Sequence, residues 1–204
     1  MMTPEPVTLV GQHVRLEPLT HAHASGLFAV AGEAEIWRYL PVPEPGSLDA
    51  MEAVVATALA EAARGLRLPF AIVARADGRV CGSTSYLDIA PAHRRIEIGW
   101  TWLGAAARRT AINTECKLLL LQHAFEALGC GRVQLKTDAR NLRSQAAIGR
   151  LGAKREGVLR QHMLMPDGFV RDTVMYSLIA GEWPAAKRRL QQRLGAPATG
   201  EERT

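Results

Sequence analysis

Apolar and polar residues alternate at period two from Arg95 to Leu103, and a long helical run ends near Leu128. Small residues and the pair Arg108-Arg109 lie between them, so the stretch predicts strand, loop and helix. On that strand Ile96, Ile98, Trp100 and Trp102 are expected on one face, and Glu97, Gly99 and Thr101 on the other. Alternation also predicts a first strand over 7–19, and two strands, 69–75 and 79–87, around the hairpin turn Asp77-Gly78. Further strands follow from near His93 and over 132–137. A closing hairpin, 158–165 with 169–179, turns at Pro166-Asp167-Gly168.

Helical patterns occupy 21–31 behind the cap Thr20, 33–40, and 47–64 between Ser47 and Gly65. Others cover 113–128 before Gly129, 141–151 before Gly152, and the segment after Gly181. The proline-rich stretch 41–46 separates the second from the third. Strand, helix, strand across 95–137 needs a crossover, and a crossover of that length makes those two strands parallel. The predicted class is therefore α/β (α+β): a mixed, mostly antiparallel sheet with a parallel, splayed pair at its centre, flanked by helices. Residues 1–194 are expected to form one domain, and 195–204, rich in Gly, Pro, Ala and charge, a disordered tail.

The loop is chemically suggestive. A helix leaves the N–H groups of its first turn unpaired and carries positive charge there, and Arg108 and Arg109 add full charges, which suits phosphate. The other reading is a solvated basic turn. A formal charge of +5 on 204 residues is compatible with anionic coenzymes and too weak to argue for nucleic acid. Neither a membrane-length apolar span nor a signal-peptide pattern occurs in the sequence, so a cytoplasmic protein is expected. The three cysteines Cys81, Cys116 and Cys130 show no paired spacing, which predicts reduced thiols and no metal site.

Several segments together resemble the GCN5-related N-acetyltransferase (GNAT) superfamily, and within it the RimJ/RimL-type branch. They are Ile96-Glu97-Ile98-Gly99-Trp100, the helix beginning Asn141-Leu142-Arg143-Ser144 and ending Gly152-Ala153, and the final Asp167-Gly168 hairpin with Arg171-Asp172-Thr173. The resemblance implies acetyl transfer from acetyl-CoA to a primary amine, a protein N-terminus or a small molecule, by direct attack. It implies a pyrophosphate loop of Arg108, Arg109, Thr110, Ala111, Ile112, Asn113 and Thr114, with the amides from Ala111 to Thr114 holding phosphate. Asn141 would contact the pantetheine arm and Ser144 would protonate the departing thiolate, although an N-cap role explains Asn141 as well.

Glu97 is the expected base or amine anchor, because an ammonium must lose a proton before it can attack. His162 and Asp172 are candidates for the acceptor side. A homodimer is implied as a possibility; a nucleic-acid or membrane partner is not expected. Family members carry [QR]-x-x-G-x-[GA], where this chain has Ala111 and Asn113. If a positive φ is required there, coenzyme binding should be weakened, and the alternative is a non-catalytic acyl-CoA-binding sensor.

Overall fold

The computed structural model describes residues 2–195. Its strands are β1 (Leu9–Val10), β2 (Val14–Pro18), β3 (Arg67–Ala74), β4 (Val80–Ala90), β5 (Arg95–Leu103), β6 (Arg132–Asp138), β7 (Lys154–Leu164) and β8 (Val170–Ile179). They form one sheet in the order β1-β2-β3-β4-β5-β6-β8-β7. Every pairing is antiparallel except β5 with β6. The mixed sheet with a central parallel pair is therefore present.

Among the described residues, six α-helices flank the sheet: α1 (Ala24–Ala29), α2 (Ala34–Trp37), α3 (Leu48–Ala63), α4 (Ala111–Gln122), α5 (Leu142–Leu151) and α6 (Trp183–Gly195). Two apolar clusters show how they divide. Cys116, Leu120 and Leu121 of α4, Ile148 and Leu151 of α5, and Ala186 and Leu190 of α6 pack with Ile96, Ile98, Val133 and Leu178 on one face. Leu27 of α1, Trp37 of α2 and Met51 and Val55 of α3 pack with Ala71, Val73 and Trp102 on the other. Burying each of the Leu, Ile, Val and Met side chains among these stabilises the fold by about 1.5–3 kcal/mol.

Local signals hold where they rest on side-chain chemistry. Ser47 accepts the Ala50 N–H at 3.2 Å as the α3 cap, and Gly65 takes φ +71° beyond its end. Gly152, at φ +94°, closes α5. Several boundaries differ from expectation: β7 begins at Lys154 rather than Val158, and the helix expected over 33–40 is only Ala34–Trp37. The first strand is interrupted at residues 11–13, because Gly11 turns there and its N–H donates to the Val14 carbonyl at 2.9 Å. The first helix shortens to a single turn over His21–His23 followed by α1. The fourth helix begins at Ala111 rather than Asn113, and after Gln122 it widens into a π-turn over His123–Ala127, closed by Leu128 N–H to the His123 carbonyl. Gly195 ends α6, and the remainder of the expected disordered tail lies outside the described residues.

The parallel pair splays. β5 and β6 are matched only at Arg95↔Arg132, Ile96↔Val133 and Glu97↔Gln134, although β5 runs on to Leu103 and β6 to Asp138. A β-bulge in β5 accompanies the divergence: β4 pairs Ser85 with Gly99 and then Ser83 with Trp102, and Trp100 sits at φ +51°. The extra residue reverses the alternation, which corrects the expected facing. Ile96 and Ile98 face the α4 side, but Trp102 crosses to the α1–α3 cluster. Thr101 in turn meets Lys117 of α4, whose Nζ lies 2.6 Å from its hydroxyl.

Candidate active site

Glu97 lies where the two strands part. It is 1% exposed, and its Oε2 is 3.2 Å from Lys136 Nζ and 3.4 Å from Gln134 Nε2. Its Oε1 is buried without a hydrogen-bond partner. A buried carboxylate oxygen left unsatisfied is costly, so it marks a place for a donor that the protein itself does not supply. Gly99 keeps that oxygen open, since a Cβ there would stand 2.9 Å from Oε1. The ammonium of Lys136 holds Glu97 through the other oxygen, and the free one can take an amine proton.

Both strands of the pair lead into helix N-termini, α4 after β5 and α5 after β6. At α4, Thr110 is the cap: its hydroxyl accepts the Ile112 N–H at 3.2 Å and donates to the Ala107 carbonyl at 2.8 Å. Thr110, Ala111 and Ile112 border an open cleft of about 460 Å³ together with Gln12, His13 and Arg75. The positive φ in this loop belongs to Arg109, at +60°, while Ala111 and Asn113 keep negative φ. Alanine at position 111 is therefore unstrained, and the conformational objection to it falls.

Arg108 is turned away from the role expected of it. Its Nε donates to the Leu103 carbonyl at 2.9 Å and its Nη1 meets Glu33 at 2.7 Å, so it ties the loop to the start of α2. Arg109 is exposed beside the helix start. Asn113 and Thr114 are half-buried in the first turn of α4.

At α5, the Asn141 side chain accepts the Ser144 N–H at 2.9 Å, the bland capping role foreseen for it. Its amide NH2 is not consumed by that bond. Ser144 is half-buried one turn into the helix. His162 lies in a bulge of β7 and Asp172 on β8 opposite it, where Leu159↔Thr173 is followed by Met163↔Arg171. Gln161 takes φ +49° there and donates its N–H to Asp172 at 2.7 Å, so Asp172 braces the bulge. The bulge brings His162 Nδ1 to 3.1 Å from the Thr173 hydroxyl. Burial, with the charges of Lys136 and Arg171, lowers the His162 pKa below the ordinary histidine value.

The structure therefore brings Glu97 and His162 to one polar face and leaves the α4 and α5 N-termini at the carboxyl ends of the splayed strands. Sequence reasoning missed Lys136, and it quoted Arg171 and Thr173 only within the closing hairpin, without a role for either. Period-two spacing from Gln134 and Ser177 would have placed them on the face of Glu97.

Comparison with known proteins agrees with this geometry. A family model described as Acetyltransferase (GNAT) domain matches residues 13–154. The Bacillus subtilis protein named Uncharacterized N-acetyltransferase YoaA is 28% identical over 166 residues, 80% of this chain and 92% of that one. A crystal structure of a GCN5-related N-acetyltransferase from Brucella melitensis superposes with a TM-score of 0.89 at 33% identity, over 95% of this chain and 87% of the other. Mycobacterium smegmatis RimJ, in complex with CoA-disulfide, shares the fold at 23% identity, with a TM-score of 0.80 over 92% and 95% of the two chains. A splayed parallel pair, helix N-termini at its open end and a family match spanning both lead to one conclusion: the chain belongs to the GNAT acetyltransferase family and is an acyltransferase.

Proposed function

We propose that the protein transfers an acetyl group from acetyl-CoA to a primary amine by direct attack, and that it acts in the cytoplasm as a member of the RimJ/RimL-type branch. The observation that carries this reading is the buried Glu97 carboxylate at the strand divergence, with Oε1 unpartnered. The co-substrate, when bound, supplies an activated acetyl thioester. Glu97 takes the proton of the incoming ammonium, directly or through water, so that the amine can attack.

The N-terminal amides of α4 fit a diphosphate, with Ala111 and Asn113 offering theirs while Thr110 occupies that of Ile112. Arg109 supplies charge at the loop, and Arg108 acts through loop position. Beyond Glu97, β5 has no β6 partner, and the bulge takes Trp100 and Thr101 out of register with β4. Backbone N–H groups of this segment are the donors assigned to the acetyl carbonyl oxygen. The Asn141 amide holds the pantetheine arm, and Ser144 returns a proton to the departing thiolate. The exposed outer strand β7 is the place for pairing with a second copy, if the protein dimerises.

The test mixes the protein with acetyl-CoA and a panel of amines while free thiol release is followed. Turnover that falls steeply in Glu97→Gln supports the proposal. Coenzyme binding without thiol release from any amine would instead favour a sensor, a reading now without the strained alanine that motivated it.

A further inference from the structure

Arg171 differs in one respect from the other cations on the polar face. It is 4% exposed; its Nε donates to the Thr173 hydroxyl at 3.1 Å and its Nη1 to the Tyr39 carbonyl at 3.2 Å. Among the described residues no carboxylate stands within 4.0 Å of its guanidinium. The two acids whose charge reaches it are already engaged. Asp138 accepts from Arg140 through Nε at 3.0 Å, Nη2 at 2.7 Å and the backbone N–H at 2.8 Å. Glu97 is paired with Lys136. The two pairs cancel, and Arg171 remains as surplus positive charge.

That surplus faces the right way. On β8, Val174, Tyr176 and Leu178 belong to the core beneath α4–α6, so Arg171 and Thr173, at the opposite parity, point to the face shared by Glu97 and Lys136. Register carries this wall along the splay: Gln134↔Ser177 beside Glu97, then Lys136↔Met175, then Asp138↔Thr173, with Arg171 beyond. His162 joins it through the Thr173 hydroxyl. A guanidinium does not deprotonate, and a buried charge is expensive unless an anion meets it.

We infer that Arg171, with Thr173 and His162, forms an anion subsite for the acceptor, so that the preferred acceptor is an amine that also bears a carboxylate. The inference rests on the acetyl-transfer reading above. Glu97 receives the amine end and Arg171 the acid end. A polyamine, cationic throughout, meets like charge at Arg171 and is disfavoured.

The carboxylate has two possible sources, and matched pairs separate them. One pair is a free amino acid against its α-amide; the other is a short peptide beginning with Glu against one beginning with Gln. In thiol-release assays the anionic member of at least one pair should show a kcat/KM about tenfold to a hundredfold higher, the range of a charge-assisted hydrogen bond. Arg171→Gln should collapse that ratio towards unity, and Arg171→Lys should retain part of it. Equal rates within both pairs for the unaltered protein overturn the inference without any variant, as does a preference that survives Arg171→Gln. Should no amine release thiol although calorimetry shows coenzyme binding, acetyl transfer itself fails and the subsite fails with it. Turnover of neutral amines alone removes only the subsite.

Discussion

A Cβ on Gly11 would stand 2.4 Å from the carboxyl carbon of Glu115, so the glycine is required by the acid packed against it. Glu115, buried on α4, accepts the backbone N–H groups of Gln12, His13 and Val14 at 2.7, 2.6 and 2.8 Å. One side chain thus fastens the β1–β2 turn to the helix whose first turn is assigned to phosphate. Glu115→Ala leaves three amides without their acceptor and should cost about 3 kcal/mol in denaturant unfolding. Gly11→Ala should destabilise as well, and the double variant should cost clearly less than the sum, since both changes break one contact.

Glu97 and Gly99 give a paired prediction about catalysis. Glu97→Gln should lower kcat by about 100-fold or more, the range of a lost general base, with coenzyme affinity measured by calorimetry little altered. Gly99→Ala places a methyl 2.9 Å from Oε1 and should lower kcat with the carboxylate still present. If Gly99→Ala retains full activity, Oε1 is not the reacting oxygen.

The loop proposed to hold the coenzyme yields a prediction against first expectation. Because Ala111 has ordinary helical φ, Ala111→Gly should not tighten coenzyme binding. It should instead cost up to about 1 kcal/mol of stability through added backbone freedom. Calorimetric titration with coenzyme A, together with a urea melt, checks both halves.

Stability should depend on acid through a cross-strand pair. Glu156 of β7 accepts from Arg132 of β6, at 2.6 Å from Nη1, and from the Ser177 hydroxyl of β8 at 2.7 Å. Those hydrogen bonds, with the arginine's charge, lower its pKa to about 2. A carboxylate depressed on folding contributes stability in full above its unfolded pKa of roughly 4.3 and loses it as pH falls towards the folded value. The side chain is 41% exposed, so solvent screening keeps the contribution small. Glu156→Gln should therefore be less stable than the unaltered protein at pH 6, and the gap should narrow between about pH 4.5 and pH 2 in thermal melts.

Much of the architecture was legible because it is written in turn chemistry and period. Asp77-Gly78 marks a hairpin, Gly65 and Gly152 mark helix ends, and the strand–helix–strand crossover dictates a parallel pair. Glu97 stood out as a candidate because an acid amid alternating apolar residues is conspicuous. The bulges in β5 and β7 were not legible, since one inserted residue changes facing without changing composition, and the partners of Trp102 and His162 depend on it. The use of Arg108 was hidden for a related reason. Glu33, which meets it, lies 75 residues earlier in the chain, and local spacing carries no trace of so distant an ion pair.

The left-handed residue Trp100 makes β5 a strand of two phases. Ahead of it the Glu97 carboxylate is buried with one oxygen unpartnered; behind it an indole packs with α1–α3 and a hydroxyl receives a buried ammonium. Deleting this one residue would remove the bulge yet keep Trp102 opposite Ser83 and the Thr101 hydroxyl beside that of Thr84, so both side chains would hold their present faces. The extra residue therefore lets one strand set Glu97 and Trp102 on the same face, where unbroken alternation of the same sequence would set them on opposite ones.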